Sequence, residues 1–202
     1  MGEVPSPARA SRRSRRTRET TIEVAVDLDA PAPPAVSTGL PFFDHMLEQL
    51  GRHGDLALRI EATGDLAVDA HHSVEDVGIV LGEALAEALG DRAGVARFAS
   101  VLVPLDEALV EVALDLSGRP FLHYDLGAEL GPPLGTPGFD PQLAEEFWRA
   151  FTHGARLTLH VNLRYGRNAH HVLEASFKAV ARALRAASRI EGEDVPSTKG
   201  VL

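Results

Sequence analysis

The chain has 202 residues, 45% of them hydrophobic, 24% charged and 5% aromatic, enough for one large domain or two small fused ones around a real core. It has no cysteine, which excludes disulfides, thiolate metal sites and thiol nucleophiles and suits a reducing, cytoplasmic setting. The formal charge of -9 argues against a general nucleic-acid partner. Mean hydropathy is -0.04 and no apolar run approaches the roughly 18 residues that span a bilayer, so no membrane partner is expected.

Residues 1–18 hold six arginines and one acid, a net +5 in a stretch rich in Pro, Ala and Ser without apolar periodicity. That composition predicts a disordered Arg-rich tail, loosely like an organellar transit peptide and without the apolar region of a secretory signal. From Thr21 to Leu28 the pattern has period two, with Ile22, Val24, Val26 and Leu28 on one face of a strand. Ala30–Pro34, with three prolines, is a loop, and Phe42–Leu50 reads as a helix. Leu56–Ala62 and Leu66–Ala70 read as two short strands about a Thr63-Gly64-Asp65 turn. His72–Leu89 carries an apolar stripe at helical spacing (Val77, Val80, Leu81, Ala84, Leu85, Ala88), with Gly90 placed to cap it. The order then recurs: strands at Val101–Leu105 and Val110–Leu116, a helix at Leu143–Thr152, a strand at Arg156–Arg164, a helix at His171–Ala187 and a closing tail, Glu191–Leu202.

The recurrence is sharper in the motifs. His71-His72-Ser73-Val74-Glu75 opens one long helix and His170-His171-Val172-Leu173-Glu174 the other, 99 positions later. Upstream, His53-Gly54 and His153-Gly154 each precede a strand, and a matched pair of this kind points to internal duplication. On a helix the first His and the Glu are four apart and share a face, so both can grip one cation. The second His is rotated by roughly 100° and addresses a different partner. Two motifs make a dinuclear site natural; imidazole and carboxylate without thiolate suit Mn, Fe(II) or Zn, and the oxygen share favours Mn. The plainer reading, in which these groups only complement helix N-termini, weakens once the motif occurs twice. His45 is open to a packing or a ligand role, and His160, on the strand face opposite Leu157, Leu159, Val161 and Leu163, to a ligand role or plain exposure. His53, His123 and His153 read as structural.

Five runs in order resemble the imidazoleglycerol-phosphate dehydratase family: Thr38-Gly39-Leu40-Pro41-Phe42-Phe43-Asp44-His45-Met46-Leu47, Asp69-Ala70-His71-His72-Ser73-Val74-Glu75-Asp76, Asp115-Leu116-Ser117-Gly118-Arg119-Pro120, His170-His171-Val172-Leu173-Glu174-Ala175-Ser176-Phe177-Lys178-Ala179 and Pro196-Ser197-Thr198-Lys199-Gly200. The resemblance covers essentially residues 18–202. It implies an α+β fold of two duplicated halves, each a mixed sheet packed on helices as in the ribosomal protein S5 domain 2-like fold, at residues 19–98 and 99–190, with 191–202 as a substrate-binding tail. It implies trimers assembled into a 24-subunit shell with Mn sites between subunits. The implied metal ligands are His45, His71, His72, Glu75, His160, His170, His171 and Glu174, three histidines and one glutamate for each of two Mn ions. Glu19 is implied in proton transfer, with His45, His71, Glu75 and Glu174 as further catalytic positions. Substrate contacts fall on Gln49, His53 and Lys178, and phosphate contacts on Arg97, Arg119, Ser197, Thr198 and Lys199. The two lysines of the chain, Lys178 and Lys199, both sit in these motifs.

The implied reaction removes water from D-erythro-imidazoleglycerol phosphate to give imidazole acetol phosphate, a step of histidine biosynthesis. No carbonyl flanks the carbon that loses its proton, so the imidazole ring must supply the electron push, through an imidazolate and a diazafulvene-like intermediate. The family usually has glycines in a first hairpin where this chain reads Asp29-Ala30-Pro31-Ala32-Pro33-Pro34, which leaves that turn's geometry open. A phosphatase domain fused in some members has no counterpart here, so a stand-alone dehydratase is expected. The rival readings are a dinuclear metal-dependent phosphoester hydrolase and a metal-storage or shell-forming protein; Arg119 and Lys199 weigh against both.

Overall fold

The computed structural model of the chain describes residues 9–127 and 130–202. The first half runs β1 (Ala10–Arg16), β2 (Thr20–Asp27), β3 (Ala35–Ser37), α1 (Pro41–Gly54), β4 (Ala57–Gly64) and α2 (His71–Leu89). The second repeats that order as β5 (Phe98–Leu105), β6 (Ala108–Asp115), β7 (Phe121–Asp125), α3 (Leu143–Ala155), β8 (Thr158–Tyr165) and α4 (Ala169–Ala187). The strand orders correspond too, β1-β2-β4-β3 and β5-β6-β8-β7. Each sheet is antiparallel over three strands and closes on a short parallel edge, β3 on β4 and β7 on β8. The α+β class and the duplication are therefore as the sequence predicts.

Alternation builds the sheets. Ile22, Val24 and Val26 of β2, and Val110, Val112 and Leu114 of β6, are buried on the helix side of their sheets while their neighbours face out. α2 covers the first sheet and α4 the second, and each helix also packs across the boundary, α2 on α3 and α1 on α4. The seam is filled by Phe43, Phe147, Trp148, Phe151 and Phe177, all essentially inaccessible. The two helix crossings differ. On α2, a Cβ added at Gly82 would lie 2.4 Å from the Phe151 carbonyl oxygen, so backbone meets backbone there and only glycine fits. At the matching position α4 carries Ala181.

Several expectations are corrected. Residues 10–16, expected to lie in a disordered tail, form the edge strand β1, so the first half begins ahead of residue 19; residues 1–8 of that expected tail lie outside the described residues. The alternation of β1 is carried by polar side chains, which hid it. Ser11 donates to the Ala84 carbonyl, Arg13 pairs with Glu87 and Arg15 with Asp76, all on α2, while Arg12 on the other face pairs with Glu23. An arginine-studded edge also resists addition of a further strand. Leu66–Ala70 is a turn rather than a strand, because β4 runs on through Gly64 and the Val68 N–H closes onto the Asp65 carbonyl. Residues 29–34 form no hairpin: β3 lies parallel on β4, so the segment crosses over. Asp27 accepts the Asp29 and Ala30 N–H groups there, an Asx turn that needs no glycine. The strands β3 and β7 were not predicted, and Gly90 does cap α2, with φ 57°.

Candidate active site

His45, His170 and Glu174 converge where α1 meets α4. The His170 Nε2 lies 2.9 Å and the His45 Nε2 3.4 Å from the Glu174 Oε2, and these are the three metal-capable side chains that cluster among the described residues. Local sequence sets each helix. Pro41 opens α1, and Asp44 accepts both the Thr38 N–H and its hydroxyl, fixing the first turn that carries His45. Asn168 caps α4, accepting the His170 and His171 N–H groups. The Phe42 ring and the His170 imidazole form a T-shaped pair with centroids 5.3 Å apart. Gln49, one turn along α1, is 3.4 Å from the His45 Nδ1.

Glu174 is buried, yet stays ionised. Burial pushes its carboxyl up, but hydrogen bonds from Lys178 (Nζ 2.6 Å from Oε1), His170 and His45 outweigh that and hold it at about 2. The Oε2 is thereby left to face the two imidazoles. Two imidazole nitrogens and one carboxylate oxygen, without thiolate, form a donor set fitting Mn, Fe(II) or Zn. His53, nearby, has its pKa lowered by burial and by Lys178 and Arg182.

The second histidines turn elsewhere, as their rotation on the helix predicts. The His171 Nδ1 lies 2.7 Å from Glu107, and the His72 Nδ1 lies 3.2 Å from Asp65 and 3.9 Å from Glu19. The hydrogen bond it donates to Glu107 raises the His171 pKa, and the one donated to Asp65 raises the His72 pKa. Glu107 is held at about 2, chiefly by His171.

The first motif is not a copy of the second in its surroundings. Glu75 is exposed and makes no hydrogen bond or ion pair among the described residues, whereas Glu174 is paired to His170. Its neighbour Asp76 is the buried acid of that turn, held by Thr20 and Arg15. His160 sits on the outer face of the second sheet, its ring 5.5 Å from those of His123 and Phe121. His71, His72, Glu75, His160 and His171 thus join no three-donor cluster among the described residues.

Arg97, Arg119, Ser197, Thr198 and Lys199 line one open cleft of about 640 Å³. Arg97 is largely committed within the chain: it forks onto Asp115 at 2.8 and 3.3 Å and donates to the Pro196 carbonyl at 2.7 Å, docking the C-terminal tail. Arg119 and Lys199 are exposed. The Arg97 N–H donates to the carbonyl of Ala187, the last residue of α4, whereas His170 stands in its first turn. At 1.5 Å per residue the cleft and the His–Glu cluster lie roughly 25 Å apart along that helix.

Asp65, Glu107 and Asp115 were not singled out from sequence. They are contact partners of expected site residues, and single acids in a turn or at a strand end carry no spacing signal of their own. The internal repeat was the signal available for Glu107.

The family model described as imidazoleglycerol-phosphate dehydratase matches residues 38–184. Imidazoleglycerol-phosphate dehydratase of Anaeromyxobacter sp. (strain K) is 55% identical over 202 residues, covering 98% of this chain and 96% of that protein. That of Alkaliphilus metalliredigens is 50% identical over 196 residues, covering 96% and 99%. The crystal structure of the dehydratase from Staphylococcus aureus subsp. aureus N315 superposes with a TM-score of 0.80 at 38% identity, covering 90% of this chain and 99% of that one. Sequence motifs, duplicated fold and full-length relatives agree: the chain belongs to the imidazoleglycerol-phosphate dehydratase family of hydro-lyases.

Proposed function

We propose that the chain dehydrates D-erythro-imidazoleglycerol phosphate to imidazole acetol phosphate at a dinuclear Mn centre, with each active site assembled from more than one copy. The observation that carries this is the convergence of His45, His170 and Glu174 on the α1–α4 seam, in a chain whose relatives are named for that reaction. These three would hold one ion. His71, His72, Glu75, His160 and His171 supply the remaining donors from surfaces that face outward. An ion held by these residues would supply Lewis-acid charge that lowers the pKa of the substrate's imidazole and so favours loss of the hydroxyl.

The chain's own groups do the rest. Glu19 stands at the β1–β2 turn, 3.9 Å from the His72 Nδ1, and would take the carbon-bound proton. Arg119, Ser197, Thr198 and Lys199 offer cationic and hydroxyl donors to the phosphate, with Arg97 anchoring the tail that carries three of them. Lys178 keeps Glu174 ionised, Gln49 lies against His45, and the His53 ring feels the Lys178 charge.

Along one α4 the phosphate cleft and the metal cluster are too far apart to hold the two ends of one small substrate, which supports sharing between copies. The same proposal includes the trimer-built 24-mer and a cytoplasmic location. No helix among the described residues is long and apolar enough to cross a membrane. The test is turnover by chelator-stripped protein before and after Mn²⁺ is added. Activity that returns only with metal is the expected result. No turnover with metal bound and the assembly intact would overturn the proposal, and release of inorganic phosphate would favour the hydrolase instead.

A further inference from the structure

The duplication reaches further than the histidine motifs. Glu19-Thr20-Thr21-Ile22-Glu23-Val24-Ala25-Val26-Asp27-Leu28 and Glu107-Ala108-Leu109-Val110-Glu111-Val112-Ala113-Leu114-Asp115-Leu116 share the pattern Glu, three residues, Glu-Val-Ala, one apolar residue, Asp-Leu. Structure places the two runs alike: each begins in the turn before the second strand of its sheet, β2 or β6. Glu107 therefore stands in the second half where Glu19 stands in the first.

Their surroundings differ. Glu19 approaches His72 no closer than 3.9 Å, where Asp65 already occupies the Nδ1. Glu107 is locked on both sides. Its Oε2 takes the His171 Nδ1 at 2.7 Å, and its Oε1 accepts the N–H groups of Asn168 at 2.8 Å and Arg167 at 3.3 Å. Asn168 in turn caps the helix that carries His171. An Nδ1–H donated to this carboxylate leaves the His171 Nε2 as a lone pair. The nearest acidic group to that nitrogen is Asp106, 3.8 Å away.

We infer that Glu107 is a positioning residue for the metal centre: it fixes the tautomer and the ring orientation of His171 so that the Nε2 points out as a ligand. Asp65 does the corresponding task for His72, which frees Glu19 for the proton. The inference rests on the metal reading above. A carboxylate behind a ligating imidazole raises its basicity as well as aiming it.

The test is Mn²⁺ binding to the intact, chelator-stripped assembly, read from the electron paramagnetic resonance of free Mn²⁺, for wild type, Glu107→Ala and Glu107→Gln. The wild type is expected to bind two ions per chain. Glu107→Ala is expected to weaken one of them by roughly 10- to 100-fold and leave the other unchanged. Glu107→Gln keeps one acceptor oxygen, enough for the His171 Nδ1–H or for the Asn168 N–H and not for both, so it is expected to fall between and to serve if Glu107→Ala does not fold. Turnover by the variants should recover in excess Mn²⁺ with KM for substrate unchanged. Wild-type affinity at both sites in both variants would overturn the inference. So would equal weakening of both ions together with a lower melting temperature, the mark of a merely structural brace. A wild type without tight Mn²⁺ sites would overturn the metal reading itself, which the same titration series shows separately.

Discussion

The two halves share element order, strand order and a His-His-x-x-Glu helix start, yet they use the motif differently. In the second half, Glu174 is buried, paired to Lys178 and aimed at two imidazoles; in the first, Glu75 points into solvent with its imidazoles spread among Asp65, Glu19 and open surface. His170 and Glu174 of the second half thus cluster with His45 of the first through the chain's own packing. His71, His72 and Glu75 join no such cluster among the described residues. Duplication preserved the scaffold positions and let the environments diverge, because backbone position is set by the core while side-chain partners are set by surface residues free to change.

That contrast can be attacked at several points. The largest effect is expected at the free acid: Glu19→Gln should lower kcat by roughly 10²- to 10⁴-fold, while near-normal turnover would exclude it as the essential base. Next come the two glutamates of the motifs, compared in metal-free protein by chemical denaturation. Glu174→Gln leaves the Lys178 ammonium without its counter-charge and should cost about 2–4 kcal/mol, whereas Glu75→Gln should stay within about 0.5 kcal/mol. Equal costs would remove the asymmetry. Both should abolish tight Mn²⁺ binding if Glu75 serves a shared site.

The helix crossings give a smaller pair. Gly82→Ala pushes a methyl into the Phe151 carbonyl and should cost about 1–3 kcal/mol, while Ala181→Gly should cost about 1 kcal/mol through helix propensity alone. The smallest effect is in the pH profile of metal-free stability. Glu174 has a depressed pKa, so its contribution is present above about 4.5 and is lost as the pH falls towards about 2. His171 has a raised pKa, so its contribution is present below 6.5 and is lost as the pH rises through the folded value. Glu107→Ala should flatten that upper limb and leave the acid limb in place; an unchanged upper limb would mean His171 is not held this way.

Much of this was legible in the residues. Helix starts and the buried rows of β2, β6 and β8 follow from periodicity, and the α1–α4 seam brings His45 to His170 and Glu174 as the motifs imply. What stayed hidden has physical causes. β1 alternates arginine and serine rather than apolar side chains, so its inward face answers to the charges of α2 and not to a core. β3 and β7 are short parallel edges whose pairing is long-range and leaves little local pattern. Asp65 acts through a turn contact that no spacing announces, and Glu107 is marked only by its place in the internal repeat. His160, on an outward sheet face, joins no donor cluster among the described residues.

The length of α4 has a genetic corollary. With the metal cluster at one end and the docked tail at the other, a chain crippled at Lys199 and a chain crippled at Glu174 each keep the part the other lacks. Co-assembled, two such inactive subunits should repair one another, and mixing them would restore turnover that neither shows alone.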